Sequence, residues 1–277
     1  MVNYIGGKNR ISKFIIPFIP TDIETYVEVF GGAGWVYFNM DITKYPNLKT
    51  IVYNDINPLN SNLFRCVQED PHKLLELCKD IPSEDDELFY QYQKELFPTP
   101  NIIEPNYEMA YKYVYLLTQV WSGNNPEKAR LVKKGGYINK NGVYVSKFDM
   151  FRNKLKETKW TDKMKSITYV EKMDFKELIT KWDGDTTYFY LDPPYFTKEL
   201  YYSNHKFGFH QHNELVTLIK TIKSKWSLSY YDFDLLNEWL PKDEYEWKSK
   251  EFVKCSGVTK GKSPSKGTEL LIMNYTL

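Results

Sequence analysis

At 277 residues, 42% hydrophobic and 26% charged, the chain has the length of one large domain, or of a main domain with an insertion, and the composition of an ordinary soluble globular protein. A net charge of +1 gives no argument for nucleic acid from overall charge. The longest apolar run near the start, from Phe14 to Pro20, is short and broken by proline, which excludes a signal peptide or membrane span there.

Cys66, Cys78 and Cys255 share no ligand spacing, and His205, His210 and His212 have no acidic or Cys partner at one. The expectation is a reducing, cytoplasmic protein with no metal and no disulfide framework. The 23 tyrosines admit two readings, an aromatic core or surfaces that stack on something flat.

In chain order, Thr25 to Phe30 is rich in strand formers and ends in Gly31-Gly32-Ala33-Gly34, after which Trp35 to Ile42 suits a helix. Leu48 to Tyr53 predicts a second strand ending at Asn54-Asp55, with a helix from Pro58. Strand, glycine turn, helix, strand is a βαβ unit of the doubly wound kind. From Pro71 to Trp121 the periodicity is helical, with Leu74, Leu75, Leu77 and Cys78 on one face and Tyr111, Val114, Tyr115 and Thr118 on another. The acidic run Ser83 to Glu87 marks a solvated face or a helix start.

Residues 122–146 are rich in Gly, Asn and Lys, and Gly135 to Tyr144 predicts a hairpin with an Asn-Gly turn. Charge is concentrated here: Glu127 to Lys159 holds ten Lys and Arg against three Asp and Glu. Alternation then resumes, with strands at Ile167–Val170, Thr187–Leu191, Trp226–Tyr230 and Glu269–Tyr275 and helices at Phe175–Trp182 and His210–Lys225. Ser256 to Gly267 reads as a polar, basic loop. The architecture expected is an α/β sheet interrupted by an insertion of roughly ninety residues.

Three stretches carry chemistry. Phe30 to Gly34 lets a ligand approach the backbone at a helix N-terminus, or is a plain tight turn. Tyr37 stands where a dinucleotide fingerprint needs its third glycine, which disfavours a nicotinamide enzyme. Asp55, at the end of the second strand, suits the two hydroxyls of a ribose, caps the helix that follows, or does both. Near the start, Gly6-Gly7-Lys8 fails as a phosphate loop, because Val2 and Asn9 stand where Gly and Ser or Thr are required.

The third stretch is Leu191-Asp192-Pro193-Pro194-Tyr195-Phe196. Prolines end the strand abruptly and present Asp192 and Tyr195 on a stiff turn. An acceptor beside an aromatic face suits an amino group on a flat ring, which Asp192 holds by its N–H while Tyr195 stacks.

In this order, these segments resemble the DNA adenine-N6 methyltransferases of the Dam type, which carry GGK, FxGxG, ND, a recognition insertion and DPPY. The resemblance spans residue 4 to about 275 and implies a Rossmann-like sheet that uses S-adenosylmethionine, with a mainly helical DNA-recognition insertion containing a β-hairpin. It implies a catalytic domain over 1–60 and 160–277 and an insertion over 61–159. Asp192, Pro193, Pro194 and Tyr195 become the catalytic turn. Tyr4, Lys8, Phe30, Gly32, Ala33, Gly34, Asp55, Asp174, Phe175 and Asp192 become cofactor positions, with Phe175 against the cofactor adenine.

The partner implied is double-stranded DNA, with a restriction endonuclease as a possible companion. Arg130, Lys133, Lys134, Lys140 and Arg152 are its candidate contacts, and the hairpin enters a groove. GATC-specific relatives carry an FNxPxG-like stretch that Tyr144 to Phe148 does not match, which counts against GATC recognition. Tyr201-Tyr202 and Ser229 to Asp232 resemble walls around the flipped base. Cytosine-N4 methylation, usually with Ser ahead of PPY, and a non-catalytic DNA-binding relative are the alternatives.

Overall fold

The computed structural model describes residues 8–98, 101–102, 105–123, 125–132, 136–196, 207–253 and 266–277. Tyr4, Gly6, Gly7, Lys133, Lys134, Tyr201, Tyr202 and residues 256–265 of the basic loop lie outside them.

Among the described residues the chain opens with a single helical turn, α1 (Ser12–Ile15), and enters β1 (Thr25–Glu28). The glycine turn leads into α2 (Trp35–Asn39), capped by Gly34 in the left-handed region. It is shorter than expected, because Asp41 accepts from Thr43 N and starts a 3-10 turn instead. Then follow β2 (Thr50–Asn54) and α3 (Pro58–Glu69), the latter with proline in its first turn and Asn57 as its cap.

The long helical stretch is three helices, α4 (Pro71–Cys78), α5 (Asp86–Leu96) and α6 (Tyr107–Gln119). Leu74 and Cys78 are buried, whereas Leu77 faces solvent. The acidic run does begin a helix: Asp85 caps α5 by accepting from Leu88 N at 2.8 Å.

The predicted hairpin forms as β3 (Tyr137–Ile138) and β4 (Tyr144–Val145). Its turn is longer than a two-residue Asn-Gly loop. Gly142 N donates to the Asn139 carbonyl, Asn139 N to the Val143 carbonyl, and Gly142 takes the left-handed conformation at φ 76°. Two helices, α7 (Lys147–Leu155) and α8 (Thr158–Lys165), return the chain to the sheet.

The remaining elements are β5 (Tyr169–Glu171), α9 (Phe175–Trp182), β6 (Thr187–Leu191), α10 (Phe209–Ile219), β7 (Lys225–Tyr230), α11 (Leu236–Trp239), β8 (Glu246–Val253) and β9 (Lys266–Met273). The helix expected to reach Lys225 ends at Ile219. The strand β8 was not predicted, since its sequence EWKSKEFV alternates too weakly. Such charge suits an edge strand, where Lys and Glu blunt unwanted pairing.

The strands order as β5-β2-β1-β6-β7-β9-β8. β5, β2, β1, β6 and β7 run parallel, and β9 lies antiparallel between β7 and β8. This is the mostly parallel, doubly wound α/β sheet that the sequence pointed to. Alternation along the strands supplies two separate cores. Tyr26, Tyr188 and Tyr190 face α1–α8, while Val27, Phe189 and Leu191 face α9–α11. Most tyrosine burial is core, with Tyr26, Tyr113, Tyr115, Tyr188, Tyr190 and Tyr230 fully enclosed.

The chain runs outward from β1 through β2 to β5, then resumes at β6 on the other side of β1. The order therefore reverses between β1 and β6, where open α/β sheets bind ligands at the carboxyl ends of their strands. The glycine turn and the proline turn follow these two strands.

Candidate active site

The turn after β1 is held from beneath. Gly34 N donates to the Gly31 carbonyl at 2.7 Å, Gly31 N to the Asn54 carbonyl at 2.7 Å, and the Tyr53 hydroxyl to the Gly32 carbonyl at 2.7 Å. Positive φ at Gly32 and Gly34 (50° and 65°) explains glycine at those positions.

Asn54 ties three segments together. Its side-chain amide donates to the carbonyls of Val29 and Met173, and its Oδ1 accepts from Met173 N at 2.8 Å. The Asn half of the Asn-Asp pair thus aligns the ends of β1, β2 and β5.

Asp55 is not the cap of α3, a place that Asn57 takes, and its carboxylate holds the turns after β1 and β2 together instead. One oxygen accepts from Gly32 N at 2.9 Å and Asn60 Nδ2 at 2.7 Å, and the other from Asn57 N at 2.8 Å. Tyr113, on the insertion helix α6, donates to Asn60 Oδ1 at 3.0 Å and so reaches the site through one residue.

Beside this turn Phe30, Phe175 and Phe207 form an aromatic cluster, with centroids 5.5–5.9 Å apart. Asp174 caps α9, accepting from Lys176 N at 2.9 Å. Ala33 is buried.

The proline turn brings Asp192 and Tyr195 to the same rim. Lys8 Nζ lies 2.9 Å from Asp192 Oδ1 and donates to the Tyr195 hydroxyl, with its charge 4.6 Å from that ring's centroid. Tyr195 stacks on Tyr230 and meets Tyr231 edge-on at 4.3 Å. Burial pushes the Asp192 carboxyl up, and Lys8 opposes that shift. Its side chain keeps 18% of its surface open.

Two acids here escaped sequence reasoning. Glu269, on β9, is buried, accepts from the Tyr195 hydroxyl at 2.7 Å, and lies 3.4 Å from Lys8 Nζ. Burial raises its carboxyl, with Lys8 working against that and Asp192 adding to it. β9 enters antiparallel, so its first residues meet the carboxyl ends of the parallel strands. Tyr230 pairs with Leu270, and Glu269 lies one residue beyond. Seventy-four positions separate it from Tyr195, and only the sheet unites them.

Glu28 ends β1 beneath the N-terminus of α2. Burial lifts its carboxyl to about 8, countered by backbone N–H bonds from Tyr37 and Val36 and reinforced by Asp192. Its signal in the sequence was an acid inside an apolar strand, YVEVF.

The candidate DNA contacts divide. Arg130 and Lys140 are exposed, Lys140 in the turn of the hairpin. Arg152 is not available. It is buried on α7, and its guanidinium donates to the carbonyls of Cys78 and Ile81, to Ser83 Oγ and to Asp149. A basic count cannot separate a charge that faces solvent from one that ties a helix to the loop beneath it. Among the described residues no three His, Cys, Asp or Glu gather as metal ligands, and no helix is long and apolar enough to cross a membrane.

Comparison with known proteins identifies the family. The chain is 25% identical over 227 residues to modification methylase StsI of Streptococcus sanguinis, matching 76% of this chain but 31% of that protein. It is 25% identical over 240 residues to the DNA adenine methylase of Haemophilus influenzae, covering 82% of this chain and 76% of that one. It is also 24% identical over 238 residues to type II methyltransferase M.CviBI of Paramecium bursaria Chlorella virus NC1A, covering 86% and 85%. A solved rRNA methyltransferase, aviRa from Streptomyces viridochromogenes, aligns over 98% of this chain and 86% of its own at 11% identity, with a TM-score of 0.42. The model of the D12 class N6 adenine-specific DNA methyltransferases matches residues 4–254, from the segment that holds Lys8, through both turns, to the end of β8. By that match, across nearly the whole catalytic sheet and its insertion, the chain belongs to this family.

Proposed function

We propose that the chain transfers the methyl group of S-adenosylmethionine to N6 of an adenine turned out of duplex DNA. The observation that carries this reading is the meeting of Asp192 and Tyr195 with the glycine turn and Asp55 at the switch point of the sheet, in a chain of this family. The residues at this rim suit the cofactor. Asp55 faces where a ribose diol would lie, and Phe30 and Phe175 offer apolar walls for its adenine. When bound, the cofactor supplies a methyl group activated by positive sulfur.

This chain's own residues do the rest. The base must leave the duplex, because its amino group is otherwise paired and stacked. Asp192 and the Pro193 carbonyl accept the two N–H bonds and turn the nitrogen lone pair toward the methyl carbon, while Tyr195 supports the ring. With the cofactor held beside Asp55, Phe30 and Phe175, this nitrogen would take its methyl group in exchange for one N–H proton, which leaves to solvent. Positioning and fixed charge carry the rate, and no protein nucleophile is needed.

Arg130, Lys133, Lys134 and Lys140 hold DNA phosphates, and the exposed side chains of Tyr137, Ile138, Val143 and Tyr144 face the duplex. The names of StsI and M.CviBI support a place in a restriction–modification pair, acting in the cytoplasm. Resistance of DNA treated with this enzyme to a companion endonuclease would test that.

The main experiment incubates labelled S-adenosylmethionine with unmethylated DNA and identifies modified nucleosides by mass spectrometry. N6-methyladenine is expected. N4-methylcytosine would move the target base, and cofactor binding without DNA labelling would overturn the assignment. Asp192→Ala should lower the rate about a hundred- to thousandfold or more while keeping most cofactor affinity. Undiminished transfer would remove Asp192 from the mechanism.

A further inference from the structure

Lys8 stands where the proposed function puts the target adenine. Its ammonium pairs with Asp192 Oδ1 at 2.9 Å, the place assigned to the N6 amino group. It also lies over the Tyr195 ring at 4.6 Å, on the aromatic assigned to the base. Glu269 Oε1 is 3.4 Å from the same nitrogen, and it already orients the Tyr195 hydroxyl at 2.7 Å. One buried ammonium therefore lies between the buried carboxylate of Glu269 and the half-buried one of Asp192.

We propose that Lys8 closes the base site in the DNA-free chain, and that Glu269 is the positioning residue that takes the ammonium when the target amino group takes Asp192. The inference rests on the methyltransferase reading above. A neutral amino group is a poor competitor for a carboxylate already paired with an ammonium, since charge-assisted hydrogen bonds are about twice as strong as neutral ones. A buried Lys cannot simply be released either, because an unpaired buried charge is strongly unfavourable. Glu269 removes both obstacles: Lys8 exchanges one carboxylate for another within reach of the same side chain, and Asp192 is freed as an acceptor. Until a base arrives, the shared ammonium keeps the two carboxylates from facing each other unscreened. The same step shifts the charge off the Tyr195 ring, so the face for the adenine and its acceptor open together.

Glu269→Gln tests this, because glutamine keeps an acceptor for the Tyr195 hydroxyl but loses the charge. With wild-type transfer established, the single-turnover rate of Glu269→Gln at saturating DNA and cofactor should fall at least tenfold. DNA and cofactor affinities should stay within threefold, since base docking follows DNA binding. Glu269→Asp, which keeps the charge, should recover part of the lost rate.

A glutamine variant as fast as wild type would overturn the proposal. So would an aspartate variant no faster than the glutamine one, or a loss explained wholly by affinity. A wild-type chain that labels no DNA would instead sink the functional reading. A crystal structure of the wild-type chain with S-adenosylhomocysteine and a duplex containing its own methylated word gives a check independent of any variant. Lys8 Nζ should bond Glu269 with the adenine amino group on Asp192, and Lys8 still on Asp192 beside a docked adenine would refute the exchange.

Discussion

A Cβ added at Gly31 would sit 2.2 Å from Cε2 of Tyr53. That ring cannot easily retreat, because it stacks on Phe64 at 3.7 Å and its hydroxyl donates to the Gly32 carbonyl. Gly31→Ala should therefore cost about 1–3 kcal/mol and loosen the cofactor turn, to be read by urea melts and cofactor calorimetry. An unchanged midpoint would show that the ring yields.

Glu28 makes the second prediction at this scale. Its folded carboxyl is raised from 4.5 to about 8, so between those values the folded chain holds a proton that the unfolded chain has lost. Its contribution is fully present at low pH and fades as pH rises, by about 1.4 kcal/mol per unit. Glu28→Gln, which never ionises, should gain stability relative to wild type from pH 5 to pH 8 and level off above. A difference that does not vary with pH would contradict this account.

At the scale of elements, the basic segment separates into ties and contacts. Arg152 joins α7 to the carbonyls that end α4 and begin the next loop. Arg152→Ala should cost about 1–3 kcal/mol, the order seen when buried carbonyls lose their donor. Arg130→Ala and Lys140→Ala should leave the melt unchanged and weaken DNA binding, each reducing the salt slope by about one. Fluorescence anisotropy across salt concentrations, alongside thermal melts, reads both. An Arg152 variant that melts normally but loses its salt dependence would return that residue to the DNA surface. The acidic run before α5 and the hairpin were legible because caps and turn glycines act locally. The escape of β8 has the opposite cause: an edge strand is defined by its neighbour, not by its own periodicity.

At the scale of the molecule, the insertion and the sheet share a core. One cluster of buried side chains runs from Ile15, Tyr26 and Tyr53 through Leu63 and Phe64 to Tyr115, Phe148 and Leu155. The boundaries at 60/61 and 159/160 fall inside α3 and α8. We therefore expect a single cooperative unfolding transition by calorimetry, with equal van't Hoff and calorimetric enthalpies. A chain with residues 70–157 replaced by a short linker should be insoluble. Two separated transitions, or a soluble and folded deletion, would mark the insertion as an independent domain.

The sequence by itself determined the βαβ start, the glycine turn, the abrupt end of β6 at Asp192, and the order of segments that names the family. Each of these is written in residues close together in the chain, where backbone preference and short-range hydrogen bonds decide the outcome. Tertiary structure alone decided that Glu269 meets Tyr195 and Lys8, that Asn54 ties three strand ends, and that Arg152 points inward. Those outcomes depend on which strand pairs with which and on what each helix packs against, and burial at long sequence separation leaves no local pattern to read.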